Sequence, residues 1–226
     1  MKRVNVVLVI SLLFIISGCG SSDNSKQKED ARYKVTFNSH FVAKAFPTGF
    51  PINKAHFSGL IGATHNKNVV IWKNEDKASA GIKRMAETGR KDTLKVELNK
   101  ASGIANILDG SGIAVGGSVV SLEFSIDEEH SLVTLTSMAA PSPDWFVGVS
   151  GIALYDTSKK EWIERKTIKL KLYDAGTDSG SKFLADNLVT HPFDNITLLT
   201  EPEVDFENGV QSGSGNVIGT FVFERL

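Results

Sequence analysis

The 226-residue chain has one cysteine, Cys19. No internal disulfide is possible, and an odd cysteine near an apolar leader needs an explanation of its own. Charge of one sign is also lacking: 25 basic side chains stand against 26 acidic ones, a formal charge of −1. No basic stripe appears, which argues against nucleic acid as a partner. Long apolar runs are missing too. The only candidate, Val4 to Ile16, is broken by Asn5 and Ser11. It falls short of the ~20 residues a membrane span needs. Catalytic signatures are absent as well. "GVSGI" is not G-x-S-x-G, and there is no H-E-x-x-H, P-loop, dinucleotide fingerprint or EF-hand run. His40, His56, His65, His130 and His191 are scattered. His56 and His65 could in principle join a metal site, but structural roles are expected for them.

What is present begins with a leader. Lys2 and Arg3 precede the apolar run, and small residues follow it, as in a secretory signal. "ISGC", residues 16–19, resembles the bacterial lipobox. That resemblance implies cleavage before Cys19 and lipidation of its thiol, with the protein anchored to a membrane rather than spanning it. Gly20 and Ser21 follow, with no aspartate in the retention position, so an exported, outer-membrane location in the cell envelope is expected. Residues 1–18 are therefore read as a lipoprotein signal peptide. Residues 19–31, polar and poor in apolar side chains, read as a flexible tether. Residues 32–226 are long enough for one well-buried domain.

That domain is dominated by period-two alternation. "YKVTF" puts Tyr33, Val35 and Phe37 on one face. "VSLEFSI" does the same with Leu122, Phe124 and Ile126, and residues 127–130 read as a hairpin connection to "SLVTLTS". "TIKLKLY" turns Ile168, Leu170 and Leu172 inward, and "VIGTFVFERL" does so with Val217, Phe221 and Phe223. Short alternating segments separated by turn clusters predict half-buried antiparallel strands in a β-sandwich. "WFVGVSGIALY" is apolar on both faces, so a central strand is expected, with Gly148 and Gly151 marking a bulge or a close approach.

Two short helices are predicted in one connection. "SAGIKRMAETG" has Ser79 as N-cap and Gly89 as stop, and "DTLKVELNKA" has Asp92 as cap. The glycine-rich residues 101–118 read as loop.

Three acids stand where strands begin and end. Asp174 and Asp178 flank Gly176 in "DAGTDSG", a segment that curls rather than extends. Asp144 follows "PSP", just before the central strand. If the two loops share one end of the sandwich, the three carboxylates converge, and a cation is needed to offset their repulsion. An all-oxygen set on irregular loops favours calcium over magnesium. Solvated turn aspartates are the plainer reading. Trp145, beside Asp144, is expected in the core rather than at the rim of such a site.

"HFSGLIGATHN" (56–66), "VIWKNEDKASAGIKRMAETG" (70–89), "SMAAPSPDWFVGVSGIALYD" (137–156) and "LYDAGTDSGSKF" (172–183) together resemble the spondin N-terminal domain family. This module occurs in F-spondin and mindin and in many bacterial exported proteins. The resemblance implies an all-β, C2-like antiparallel sandwich. It also implies a Ca²⁺ ion held by Asp144, Asp174 and Asp178. The disulfide cysteines of the animal members are missing here, and no thrombospondin repeat follows.

A calcium-binding, non-enzymatic envelope lipoprotein is therefore expected, contacting a protein or glycan ligand for adhesion. The alternatives are a hydrolase or lipid-active enzyme pairing His56 with Ser58 or Ser150, and a purely structural envelope protein.

Overall fold

The computed structural model describes residues 30–226. The expectations for the leader and Cys19, and nearly all of the tether, lie outside the described residues. Nine strands carry the architecture. They are β1 (Ala31–Ser39), β2 (Ile61–His65), β3 (Ile104–Asp109), β4 (Val119–Ile126), β5 (Leu132–Ala140), β6 (Trp145–Ala153), β7 (Arg165–Leu170), β8 (Leu172–Asp174) and β9 (Gly219–Arg225). One sheet runs β7-β9-β1-β4. The other runs β8-β6-β5-β2-β3, extended beyond β8 by Thr197–Leu198, with His56–Phe57 added against β5. The pairings within both sheets are antiparallel. The expected all-β sandwich with two short helices is what is found.

Alternation explains the inner layer. Tyr33, Val35 and Phe37 of β1 meet Phe221 and Phe223 of β9 and Trp145, Val147 and Leu135 of the second sheet in one buried cluster. The second sheet is covered on its outer face as well. Helices α1 (Ala80–Thr88) and α2 (Asp92–Lys100) lay Ile82, Met85, Leu94 and Leu98 over Phe146 and Met138. Two covered faces account for the uninterrupted apolar start of β6. From Ser150 onward β6 emerges from cover, and Gly151 takes φ 59° where its register against β5 shifts.

The α1 caps are those read from the sequence. Ser79 Oγ accepts the Ile82 N–H at 3.1 Å, and Gly89 turns left-handed as its N–H donates to the Met85 carbonyl. Asp92 is not the cap of α2. Lys91 holds that position without a side-chain bond, and Asp92 is the first helical residue, ion-paired to Arg84 at 3.0 Å.

Three further expectations are corrected. Residues 127–130 do turn, with Asp127 Oδ1 accepting the His130 N–H at 2.8 Å, but β4 and β5 belong to different sheets and form no hairpin. Residues 104–109 are a strand rather than loop, paired with β2. "TIKLKLY" is two strands: the chain leaves the first sheet at Leu170 and enters the second at Leu172.

Candidate metal centre

β6 and β8 lie side by side, with Trp145 registered against Asp174. This pairing puts the residue before β6, Asp144, next to the loop that leaves β8. Ser142 Oγ accepts the Trp145 N–H at 3.2 Å and shapes the approach to the strand.

Asp144 is 0% exposed. Its Oδ2 accepts the Thr177 N–H at 2.7 Å, the Thr177 hydroxyl at 3.1 Å and the Asp178 N–H at 3.0 Å. Its Oδ1 is buried without a partner. Asp174 Oδ1 accepts the Gly176 N–H at 2.6 Å. Gly176 sits at φ 71°, and a Cβ there would lie 2.6 Å from the Asp194 carbonyl oxygen, so only glycine fits. Asp178 organises its own loop. Oδ1 accepts the Gly180 N–H at 2.9 Å and Oδ2 the Leu188 N–H at 3.0 Å.

The three predicted residues thus meet unequally. Asp144 and Asp174 stand near enough for the Asp174 charge to act on Asp144. Asp178 reaches Asp144 through its backbone N–H, while its carboxylate faces the 179–190 loop. Among the described residues, no three His, Cys, Asp or Glu side chains already stand as a ligand cluster.

Burial, reinforced by the Asp174 charge, pushes the Asp144 carboxyl up to about 7. Burial raises Asp174 to about 6; the Gly176 N–H opposes this, and the Glu201 and Asp194 charges add to it. The Trp145 indole N–H lies near enough to lower Asp174 somewhat, yet outside hydrogen-bonding geometry, and has no partner of its own. A buried carboxylate with a bare oxygen, interacting with a half-buried second one, is costly to ionise without a cation.

Asp174 and Asp178 open on a cleft of about 540 Å³ that Asp194, Asn195 and Glu201 also line. Lys77 lines it too, but its ammonium donates to the Phe193 carbonyl. Sequence reading missed Asp194 and Glu201. Both lie in irregular chain, where no periodicity marks a face.

His56 and His65 are occupied elsewhere. His56 Nδ1 donates to the Lys54 carbonyl at 2.7 Å. His65 is buried, its Nδ1 donating to the Asn66 carbonyl at 2.9 Å and its Nε2 meeting Thr134 Oγ1 at 2.8 Å; burial lowers its pKa. Ser58 Oγ accepts the Met138 N–H at 2.9 Å, and Ser150 donates to the Trp72 carbonyl. The groove that His56 lines contains no carboxylate. His56 is therefore brought together with neither serine in a nucleophile–base arrangement.

A family model described as Spondin_N matches residues 31–209. Human Spondin-2 is 34% identical over 176 residues, which cover 75% of this chain and 53% of that protein. Chicken Spondin-1 is 31% identical over 206 residues, covering 87% of this chain and 25% of its own length. The chain thus spans about half of Spondin-2 and a quarter of Spondin-1. With the match running from the first strand to beyond the acid-bearing loops, the chain belongs to the spondin N-terminal domain family.

Proposed function

We propose that the domain is a calcium-binding, non-enzymatic module of the cell envelope. It is exported, held to a membrane by lipid on Cys19, and contacts a protein or glycan ligand in adhesion. Family membership supports an exported ligand-binding module; the lipobox-like "ISGC" supports the anchor. The observation that carries the metal is the unpartnered, buried Asp144 Oδ1 beside Asp174. Asp144, Asp174 and Asp178 would hold the ion. A carboxylate oxygen has lone pairs to spare, so the backbone bonds Asp178 accepts do not exclude it as a ligand. Calcium takes ~6–8 oxygens, so backbone carbonyls and water complete the set. When bound, it would supply positive charge beside Asp144 and Asp174 and stiffen the loops that carry the three acids. The separate hydrogen bonds of His56, Ser58 and Ser150 support a non-enzymatic role. Calorimetric titration of metal-stripped protein tests the site: heat and a raised melting temperature are expected. Neither, at several millimolar calcium, would sink it.

A further inference from the structure

Ten large apolar side chains of the described domain stand exposed, and seven of them crowd one end of the sandwich. Val42, Ile52 and Val115 rim a groove of about 380 Å³ between residues 40–57 and the 113–118 turn. Val119 stands at the start of β4, registered against Asn38 near the end of β1. Leu184, Leu188 and Val189 belong to the loop after β8. Phe183 joins the two groups, its ring 5.6 Å from Phe41 and 5.1 Å from Trp145. Exposed apolar residues scattered singly need no explanation, whereas a shared patch of them marks an interaction site.

The loops that carry these residues hold three lysines against one acid, while Asp205, bonded to Thr48, and the acids of the cleft stand beside them. Residues 40–57 carry Lys44 and Lys54 and no acid, residues 110–119 carry no charge, and residues 179–190 carry Lys182 and Asp186. Lys44, Lys54 and Lys182 are exposed, and none is ion-paired among the described residues. Four of the seven apolar residues lie outside the groove, so the patch is a set of loop tips rather than a slot for one peptide. Apolar tips bordered by free lysines match the edge of a bilayer. The side chains enter the headgroup–acyl boundary, and the ammonium groups stay with the phosphates.

We propose that this end of the domain docks on the surface of an anionic lipid bilayer. It lies about 30 Å from Ala31, the length of β1, so contact here is separate from any attachment through the preceding chain. The acidic cleft adjoins the same loop, which lends it Ser179, Gly180 and Thr190. Cation binding there weakens repulsion from lipid phosphates, but the contact itself rests on the apolar tips and the lysines.

The test uses the full chain with Cys19→Ala, so that an introduced cysteine is the single labelling site. An environment-sensitive dye is placed at Val42→Cys, at Leu184→Cys, or, as a control on α2, at Val96→Cys. Vesicles of phosphatidylcholine with a minority of phosphatidylglycerol are added in calcium-containing buffer. Blue-shifted emission and shielding from iodide are expected at positions 42 and 184 and not at 96. Lys44→Glu, Lys54→Glu and Lys182→Glu are each expected to weaken the effect about fivefold. Unchanged emission at 42 and 184 overturns the proposal. So does an equal shift on phosphatidylcholine alone, or the same shift without vesicles, which would mean that a second copy covers this end. Calorimetry reads the metal site separately, so failure of one reading is distinguishable from failure of the other.

Discussion

Asp144 grips Thr177 twice, its Oδ2 taking both the backbone N–H at 2.7 Å and the hydroxyl at 3.1 Å. One oxygen of the carboxylate therefore builds the loop after β8, and the other has no hydrogen-bond partner. The two proposed ligands differ accordingly. Asp144→Ala should abolish calcium binding and also destabilise the metal-free fold by about 1–3 kcal/mol, because the buried Thr177 and Asp178 donors lose their acceptor. Asp174→Asn removes one of two repelling charges and keeps an oxygen that can accept the Gly176 N–H. It should abolish most of the calcium response while leaving metal-free melting unchanged or higher. Thermal melts with and without chelator check both; a strongly destabilised metal-free Asp174→Asn would contradict the pairing.

The pair also sets a pH dependence. Asp144 at about 7 and Asp174 at about 6 stand above their ordinary value of 3.8, so the folded state holds their protons more tightly than the unfolded one. Their contribution to stability is fully present below the ordinary value and is lost as pH rises through about 6 to 7. Asp109 and Asp127, which are held low, act below that window, whereas His65, held below 6.5 by burial, loses stability as pH falls and opposes the pair. Metal-free wild type should thus lose more melting temperature between pH 5 and pH 8 than Asp174→Asn, which carries the same His65. Calcium must displace the same protons, so its affinity should rise over that interval. Melting curves of wild type and Asp174→Asn in chelator at the two pH values decide it, and an equal pH dependence of the two would refute the assignment.

Trp145 is wholly buried, its ring 5.1 Å from Phe183. Trp145→Ala should cost about 3–5 kcal/mol and loosen the 179–190 loop that Phe183 pins. Denaturant midpoints measure the first effect and amide exchange at Leu188 the second. Near-normal stability would remove Trp145 from the core.

Much of this was legible in the chain. Alternation located the β1, β4 and β9 faces, and Ser79 and Gly89 bracketed α1, because strand pleat and helix caps are local. The β3 strand was not legible. Ala105 and Asn106 are both exposed there and only Leu108 is deeply buried, so its period is blurred. The crossing at Lys171 is invisible for the opposite reason. Leu170 and Leu172 both enter the layer between the sheets, so the period continues unbroken while the chain changes partners. Asp144, Asp174 and Asp178 could be chosen from loop chemistry and the family resemblance. Asp194 and Glu201 reach the cleft only through tertiary folding, which spacing does not encode.

The anchor is tested apart from the fold. Cys19→Ala should yield protein that takes up no fatty-acid analogue and no longer fractionates with the outer membrane of a diderm cell. Equal labelling of both forms would end the lipoprotein reading.

β1 sits inside its sheet, registered against β9 over seven residues and against β4 over eight. A pull entering at Ala31 and resisted at the far end of the sandwich runs along the strand. Both ladders are then loaded in shear, so their hydrogen bonds share the force and must fail together instead of unzipping one by one. Tension along β1 is therefore resisted by both of its neighbours at once.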